Sequence, residues 1–229
     1  MKKYLPIIKD AVILLAVSTV FVTLCNMFFK SLKKSADSDP MVTAMLQNDM
    51  PGTVEVLSDK GMAGSRKTYA SLDEYRRERL ALPDDFGRTP LMMTAYANIS
   101  GAERLVKTDA ERAPFADLFI KSGADVNAVD NDGWTALMWA SWSGLTSVAA
   151  KLEDAGTQVS RADRQGNTAL MLAAMRGNAD IVQSLLAKKA DASMTAKNGK
   201  KAADLAKEGL AQYPAKKAAY DRILAMLGN

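Results

Sequence analysis

Few side chains in this 229-residue chain could carry out catalysis. It contains no histidine, and its single cysteine is Cys25. The absence of histidine excludes Ser-His-Asp and Cys-His catalysis and zinc sites built on imidazole. One thiol permits no intramolecular disulfide, so cysteine usage does not indicate the redox compartment. We therefore expect no enzymatic activity, no metal or cofactor site and no small-molecule substrate.

Carboxylates are the remaining candidates for chemistry. Residues 130–133 (Asp-Asn-Asp-Gly) are similar to the start of a calcium loop. Aligning Gly133 with the central glycine of such a loop, however, puts Trp139 where the bidentate carboxylate belongs. Asp84 and Asp85 precede another glycine and are typical of a turn rather than of an acid/base pair. Both groups are therefore interpreted as turn residues.

A further alternative is an enzyme whose site lies on two insertions, at 62–83 and 98–112. The insertions contain acidic residues, but their spacing is typical of exposed helix faces, and no nucleophile or set of metal ligands accompanies them. These residues are Asp73, Glu74, Glu78, Glu103, Asp109 and Glu111.

The net charge of +4 is unevenly distributed along the chain. Residues 1–34 contain six lysines and one acidic residue, Asp10, which leaves 24 basic and 25 acidic groups in the rest. A nearly neutral folded part lacks the positive surface that phosphate backbones require. We therefore expect no nucleic-acid partner.

Residues 11–29 form an uncharged apolar run of nineteen residues. At about 1.5 Å rise per residue the run crosses roughly 30 Å of hydrocarbon, which predicts a single transmembrane helix within an N-terminal anchor, 1–34. A cleaved signal peptide is the alternative, but its apolar region is usually about 7 to 15 residues long. Leu24, before Cys25, also differs from the small residue that precedes the lipid-bearing cysteine of bacterial lipoproteins.

A short polar linker, 35–40, follows the anchor. Because a short N-terminal tail before a large domain usually stays inside the cell, we expect a single-pass protein of the bacterial inner membrane with its folded domain in the periplasm. In an alternative interpretation the protein is a structural subunit of a membrane assembly. It would then contact its partners through the transmembrane helix itself, by way of Ser18, Thr23 and Asn26.

The remainder of the chain contains an internal repeat. Residues 131–138 and 164–171 are near-copies whose glycines stand 33 residues apart, and the same Gly-x-Thr-(Pro/Ala)-Leu-Met pattern occurs at 87–92. A degenerate fourth copy begins at Gly199. A fixed period of this size is typical of stacked repeats, which build an extended surface rather than a closed pocket. A second apolar helix follows each full copy and ends at a glycine or its equivalent, at Gly123, Gly156 and Ala190.

With these motifs and Ser-Gly-Ala-Asp-Val-Asn-Ala at 122–128, the chain resembles the ankyrin repeat family over residues 84–229. The resemblance implies an all-α solenoid of stacked helix pairs with β-turn fingers and a C-terminal capping repeat, here preceded by the transmembrane helix. It also implies a concave face that binds proteins. Methionine replaces the histidine that usually follows Thr-Pro-Leu, so we expect packing to replace its hydrogen bonds. These methionines are Met92, Met138 and Met171.

The part before the repeats departs from the pattern. Over 41–83 we predict a divergent N-terminal helical cap plus an insertion. The cap is expected to contain helices at Met41–Asp49 and Thr53–Lys60, separated at 50–52 and stopped by Gly61.

Two further helix starts are predicted. A capping box at Ser71 predicts a helix on the insertion that runs through Leu80. About thirteen extra residues interrupt the repeats, and we place them at 98–112 because the motif spacing is longer there. Pro114 is expected to restart the following helix in its first turn.

All three tryptophans lie in one repeat. The resemblance places Trp134 on the finger and Trp142 at the end of the first helix, both on the concave face, and Trp139 in the core. Clustered Trp, Tyr and Arg side chains are typical of binding hot spots, whereas the alternative is that these aromatics cover the seams between helices. We expect another protein to bind through Phe86, Arg88, Tyr96, Asn131, Asp132, Trp134, Trp142, Arg164, Asn167, Met175 and Arg176.

The resulting hypothesis is a membrane-tethered protein–protein interaction module that acts as an adaptor, a protective factor or an inhibitor of its partner. Lysines also make the C-terminal end of the chain basic. We interpret this end as a solvated cap, or alternatively as a contact to an acidic protein or to anionic lipid.

Overall fold

The computed structural model of the chain describes residues 50–65, 68–96 and 108–228. The apolar run 11–29 and the predicted helix Met41–Asp49 lie outside the described residues. In the ranges that are described, no helix combines the length and the apolar character that a membrane crossing needs.

The described part of the chain is all-helical, and its only β-type pairing is one isolated bridge. The all-α prediction is therefore confirmed for these residues. The helices are α1 (Met50–Val56), α2 (Asp59–Ala63), α3 (Leu72–Ala81), α4 (Pro90–Ala95), α5 (Asp109–Lys121), α6 (Ala136–Ser143), α7 (Thr146–Asp154), α8 (Ala169–Arg176), α9 (Ala179–Ala187), α10 (Ala202–Gln212) and α11 (Lys217–Leu227), with a 3₁₀ turn at Pro214–Lys216.

Eight of these helices form two layers. Each repeat begins with a tight turn, the finger, continues into an inner helix and returns through an outer helix. The inner helices α4, α6, α8 and α10 pack against one another in chain order, and the outer helices α5, α7, α9 and α11 do the same. Apolar side chains from both layers are almost completely buried between them, for example Leu137, Leu170, Phe119 and Val148. The inner helices and fingers together form the surface that we call the inner face.

The first three inner helices start in the same way. A threonine at the N-cap accepts a hydrogen bond at its Oγ1 from the backbone N–H three residues later, which satisfies a free donor of the first turn. That later residue is a methionine, and each of the three methionine side chains is only 1% exposed. Packing thus replaces the histidine at Met92 and Met171, whereas Met138 packs and its Sδ also accepts a hydrogen bond from the Thr135 N–H at 3.4 Å. The pairs are Thr89 with Met92 (3.4 Å), Thr135 with Met138 (3.2 Å) and Thr168 with Met171 (3.4 Å).

The N-terminal cap differs from the prediction. Helix α1 includes Pro51 and Gly52, where we predicted a break, because a proline in the first turn of a helix needs no N–H partner. Gly61 lies inside α2 instead of stopping a helix. A Cβ atom at Gly61 would come within 2.2 Å of the Val56 carbonyl oxygen. The glycine therefore permits close packing of α2 on α1, and the predicted helix over 53–60 is wrong.

Helix α3 starts at the predicted N-cap, Ser71, although the Glu74 carboxylate binds the N–H of Ala70 and not that of Ser71. Ser71 Oγ accepts a hydrogen bond from the Glu74 N–H at 3.2 Å, and the Glu74 carboxylate accepts one from the backbone N–H before Ser71 at 2.8 Å. Tyr75 and Leu80 are 3% and 2% exposed. Tyr75 Oη also donates to the Val56 carbonyl at 2.8 Å. The segment interpreted as an insertion thus contributes a helix that buries two side chains at the N-terminal end of the stack.

The outer helix α5 begins earlier than predicted. Thr108 and Glu111 form a capping box, in which the Thr108 N–H donates to Glu111 Oε2 at 2.8 Å and the Glu111 N–H donates to Thr108 Oγ1 at 3.3 Å. The helix therefore starts at Asp109, and Pro114 lies in its second turn. The predicted restart at Pro114 is wrong, because the capping box upstream already satisfies the free donors of the first turn.

Arg112 explains why α5 has to include residues that we had assigned to the insertion. Its side chain is buried, and its Nη1 donates to the carbonyls of Thr94 at 3.1 Å and Tyr96 at 2.9 Å. Helix α4 has six residues and no glycine at its C-cap, so the guanidinium satisfies carbonyls at the end of this helix. Burial lowers the pKa of Arg112, but a guanidinium stays protonated at neutral pH.

The loops after the outer helices contain a residue in the left-handed conformation. Gly123 and Gly156 have φ of 90° and 81°, and the third such residue is Lys189, with φ of 64°. Ala190, which we predicted to be the glycine equivalent, follows one residue later and is buried. Lys189, and not Ala190, is therefore the equivalent of Gly123 and Gly156, because the three residues share a positive φ.

Replacing Lys189 with glycine is expected to raise the free energy of unfolding by about 1 kcal/mol, since glycine tolerates a positive φ without a Cβ clash. Chemical denaturation of both proteins measures the difference. Gly156→Ala is the matched control and should lower stability, because no atom lies within 4 Å of a Cβ placed there and only backbone strain is added. A Lys189→Gly protein no more stable than the parent would contradict the assignment.

Glu153 is buried between the outer helices α7 and α9. Only 6% of the residue is exposed. Ser184 Oγ donates to one carboxylate oxygen, and the other oxygen has no hydrogen-bond partner. Burial raises the pKa of Glu153, and the Ser184 hydrogen bond and the Lys188 charge offset the shift only in part. The Glu153 carboxyl therefore binds its proton more tightly in the folded protein than in the unfolded chain. Stability decreases as the pH rises from the pKa of Glu153 in the unfolded chain through its higher pKa in the folded protein.

Glu153→Gln is expected to increase the free energy of unfolding at neutral pH by about 1 kcal/mol. The gain should vanish as the pH falls below about 4, because the glutamate of the parent is then protonated and as neutral as the glutamine of the variant. Urea unfolding at several pH values tests this. The control is Asp154→Asn, since a hydrogen bond from Lys188 lowers the pKa of Asp154 and the neighbouring substitution should therefore not stabilise. A gain at neutral pH that persisted unchanged in acid would rule out the electrostatic explanation.

Candidate protein-binding surface

An aspartate closes each of the first three fingers. Asp84 Oδ1 accepts hydrogen bonds from the backbone N–H groups of Phe86 and Arg88, both at 2.9 Å. Asp130 and Asp163 hold the next two fingers in the same way, with distances of 2.8 to 2.9 Å. Side-chain acceptance of this kind is typical of aspartate in turns. The interpretation of both aspartate groups as turn residues is confirmed.

Backbone hydrogen bonds also join each finger to the next. One N–H at the tip of a finger donates to a carbonyl of the preceding finger, which fixes the spacing of the repeats. Side chains at equivalent positions of neighbouring repeats therefore lie beside one another on the inner face. The three bonds run from Asn131 to Phe86 (3.0 Å), from Arg164 to Asp132 (3.2 Å) and from Lys197 to Gln165 (2.8 Å).

Four rings on the inner face form a connected group, Tyr96, Trp134, Trp139 and Trp142, which we call the aromatic cluster. The ring centroids of Tyr96 and Trp139 are 4.7 Å apart, those of Trp139 and Trp134 4.5 Å, and those of Trp134 and Trp142 5.9 Å. Contacts of this kind stabilise aromatic pairs by about 0.5 to 1.5 kcal/mol. All four residues are half-buried, so the cluster keeps part of its apolar surface in solvent.

Arg88 stacks on one end of the aromatic cluster, with its guanidinium carbon 5.1 Å from the Tyr96 ring centroid and 4.8 Å from that of Phe86. Only 4% of Arg88 is exposed. Its Nε and Nη2 donate to Asp84 Oδ2 at 2.8 and 2.6 Å. The charge of this arginine is thus neutralised inside the first finger.

Arg176 stacks on the other end of the aromatic cluster. Its guanidinium carbon lies 4.7 Å from the Trp142 ring centroid and 5.2 Å from that of Tyr213. Its Nη1 donates to Tyr213 Oη at 2.7 Å. In contrast to Arg88, Arg176 is half-buried and forms no ion pair with any carboxylate of the described residues.

These two layers of helices, closed fingers and 33-residue register agree with one known family. A family model for ankyrin repeats (3 copies) matches residues 15–163 and 110–198. The chain belongs to the ankyrin repeat family. No curated protein matches it. The family match begins inside the apolar run 11–29, ahead of the described residues. Ankyrin repeats are modules for protein–protein interaction, and this general assignment applies to the chain.

The structure corrects the predicted position of Trp139. This residue is not confined to the ankyrin core but lies within the aromatic cluster, in contact with Tyr96 and Trp134. Its Nε1 donates to Asp130 Oδ2 at 2.8 Å. In the neighbouring fingers the residue after the glycine donates to the equivalent aspartate oxygen. Trp134 occupies this position in the second finger and makes no such bond, so Trp139 satisfies the carboxylate instead.

The other predicted contact residues have different environments. Arg88 is a structural residue of the first finger and only 4% exposed, so it offers a partner little surface, and its contact with a partner stays a prediction. Asn167 is half-buried and turns back, donating from Nδ2 to Asp163 Oδ2 at 3.1 Å. Met175 is half-buried and packs against the core. The exposed residues of the set are Phe86, Asn131, Asp132 and Arg164.

Sequence reasoning missed two residues that lie beside Arg176. Tyr213 directly follows helix α10, and Lys216 Nζ donates to the Arg176 carbonyl oxygen at 3.0 Å. The 3₁₀ turn that starts at Pro214 brings both residues to the inner face. An aromatic residue directly after an inner helix, as Tyr96 follows α4, was the available signal.

The carboxylates of the alternative enzyme site have roles in the fold. Glu111 completes a capping box, and Glu74 accepts a hydrogen bond from the Ala70 N–H just before α3. Asp109 accepts hydrogen bonds from two backbone N–H groups at the start of α7, at 2.7 and 3.1 Å. Glu78 accepts one from Tyr69 at 3.2 Å, and Glu103 lies outside the described residues. Among the residues that the structure places, no group of three or more His, Cys, Asp or Glu could hold a metal ion.

Trp139→Phe is expected to lower the free energy of unfolding by about 1 to 2 kcal/mol, because the mostly buried Asp130 carboxylate loses a hydrogen-bond donor while the ring is kept. Trp142→Phe is the matched control and should change stability by less than about 0.5 kcal/mol, since its indole makes no hydrogen bond that phenylalanine would lose. Urea denaturation measures both. Equal destabilisation by the two substitutions would show that the bond to Asp130 is not what distinguishes Trp139.

Proposed function

We propose that this ankyrin protein is a membrane-tethered interaction module that binds another protein on its inner face, as an adaptor, a protective factor or an inhibitor. The proposal involves no reaction. It treats the repeats as a rigid surface and the N-terminal segment as a means of keeping that surface near the bilayer.

The aromatic cluster is the observation that supports binding on this face. Its four rings form one connected, half-buried surface across the first two inner helices, next to Phe86, which is 43% exposed. Partly exposed Trp and Tyr side chains at the centre of a surface contribute most to the affinity of protein interfaces. The three tryptophans pack against the core but stay half-buried, whereas core leucines such as Leu137 are only 1% exposed.

The apolar run 11–29 supports the tether. It lacks charges, is long enough to cross the hydrocarbon layer and is followed directly by Lys30. Only residues 30–49 separate it from α1, so a partner near the membrane would meet the repeats at a raised effective concentration. As part of the same proposal, the anchor lies in a bacterial inner membrane and the repeats lie in the periplasm.

The double substitution Trp134→Ala and Trp142→Ala should reduce capture of the partner by the full chain at least about tenfold, because it removes two anchors of the interface. Capture is measured by cross-linking in membranes, solubilisation in detergent and co-purification, with circular dichroism to confirm folding. The control pair is Val54→Ala with Leu82→Ala, which removes exposed apolar surface (47% and 44%) outside the aromatic cluster and should leave capture intact. Equal capture by the tryptophan variant would show that the partner binds elsewhere.

A second variant separates a passive tether from the alternative in which the transmembrane helix itself contacts a membrane assembly. Replacing residues 11–29 with an unrelated apolar sequence of the same length should preserve capture by the repeats. Loss of capture in this variant, with the inner face unchanged, would favour the membrane subunit instead.

A further inference from the structure

The two arginines at the ends of the aromatic cluster differ in one respect. Arg88 uses the edge formed by Nε and Nη2 to bind the Asp84 carboxylate. Arg176 donates only from Nη1, to Tyr213, and its Nε and Nη2 have no partner among the described residues. Both guanidiniums stack on rings of the cluster, at 5.1 Å from Tyr96 and 4.7 Å from Trp142. The inner face thus contains one occupied carboxylate site and one matching site without a carboxylate.

The surroundings of Arg176 favour an anionic ligand. Two rings and the Tyr213 hydroxyl hold the guanidinium in place, so little side-chain entropy is lost when its second edge is used. Lys216 is exposed and contacts the carbonyl of Arg176 at 3.0 Å, which brings a second cation to the same place. On the nearby finger tips Arg164 and Lys197 are exposed and form no ion pair with described residues.

The opposite end of the inner face carries the opposite charge. Asp85 and Asp132 are exposed on the first two fingers, and the only arginine there, Arg88, is already neutralised. The inner face is therefore apolar at the aromatic cluster and basic near Arg176, and its exposed finger carboxylates lie on the first two fingers. This order of charges gives a bound segment a preferred direction and register.

We propose that the partner presents an acidic segment to this face, with an Asp or Glu side chain on the Nε and Nη2 edge of Arg176 and an adjacent apolar residue on Trp142. The inference rests on the proposed function and adds the chemistry of the partner. Two parallel N–H donors match the two oxygens of a carboxylate, as the pair of Arg88 with Asp84 shows on the same cluster. The neighbouring apolar rings favour a protein segment over an isolated anion.

The test uses the full chain, purified in mild detergent, and a display library of random twelve-residue peptides. Peptides selected on the parent protein should be enriched in Asp and Glu next to an apolar residue. Their affinities, measured by fluorescence polarisation, should fall roughly tenfold for Arg176→Glu and Arg176→Gln and by a smaller factor for Arg176→Lys, which keeps the charge but loses the two-donor edge. Lys189→Glu changes an exposed lysine after outer helix α9 and should bind within about twofold of the parent.

A double-mutant cycle assigns the contact. Exchanging the acidic residue of a selected peptide for its amide should weaken binding to the parent but not to Arg176→Gln, because both changes remove the same interaction. Selected peptides without an acidic preference, or additive effects in the cycle, would overturn the inference. If Trp134→Ala with Trp142→Ala still abolishes binding in that case, the inner face binds protein but not through an acidic residue. If that variant also binds normally, the proposed function fails as well.

Discussion

The closure of each finger by one aspartate is the interaction on which the rest of the structure depends. Asp84, Asp130 and Asp163 each hold two backbone N–H groups with one oxygen, and this fixes a turn of constant size at the start of a repeat. Because the turn has a constant size, one backbone hydrogen bond can link each finger to the next. A threonine N-cap follows each of these three turns and starts its inner helix at an equivalent position, so the two helical layers stack in register.

The second oxygen of each finger aspartate is where the repeats become different. Arg88 donates to it in the first finger, Trp139 in the second and Asn167 in the third. The donor to this second oxygen differs between the fingers. The side chain that donates is fixed against its finger, and the other side chains on the inner face of that repeat remain available. Trp134 does not donate to Asp130, because the Trp139 indole already donates to that carboxylate oxygen. The aromatic cluster therefore follows from the hydrogen-bond requirement of a buried carboxylate as well as from apolar packing.

Local signals in the sequence predicted the parts of the fold that depend on neighbouring residues. The Gly-x-Thr-(Pro/Ala)-Leu-Met copies located the fingers and the threonine caps, and Ser71 located the start of α3. The failures concern residues whose roles come from distant contacts. Arg112 reaches carbonyls 16 and 18 positions earlier in the chain, which no local pattern predicts. The start of α5, in contrast, has a local signal that the sequence reasoning overlooked, because Thr108 and Glu111 have the spacing of a capping box. Lys189 was missed for another reason: a lysine gives no sequence signal that its backbone has a positive φ.

The candidate site could be predicted only as a region. Alignment of the repeats brought Trp134, Trp142 and Arg176 to one face, since equivalent positions of stacked repeats are neighbours. It could not show that Arg88 is neutralised by Asp84 while Arg176 has no such partner, because both are arginines near an aromatic residue. That difference depends on side-chain geometry within each finger. The charge order of the inner face therefore became visible only in the structure.

The position of the aromatic cluster also connects binding with the stability of the stack. In a repeat protein each unit is stabilised mainly by contacts with its neighbours, so the interfaces between repeats determine whether the chain stays folded. The rings extend from Tyr96, directly after the first inner helix, to Trp142 in the second, and Arg176 continues the contact into the third. A partner that binds across these residues recognises an arrangement that exists only when the three repeats are stacked. Binding must therefore stabilise the interfaces between them, by an amount that grows with the concentration of the partner.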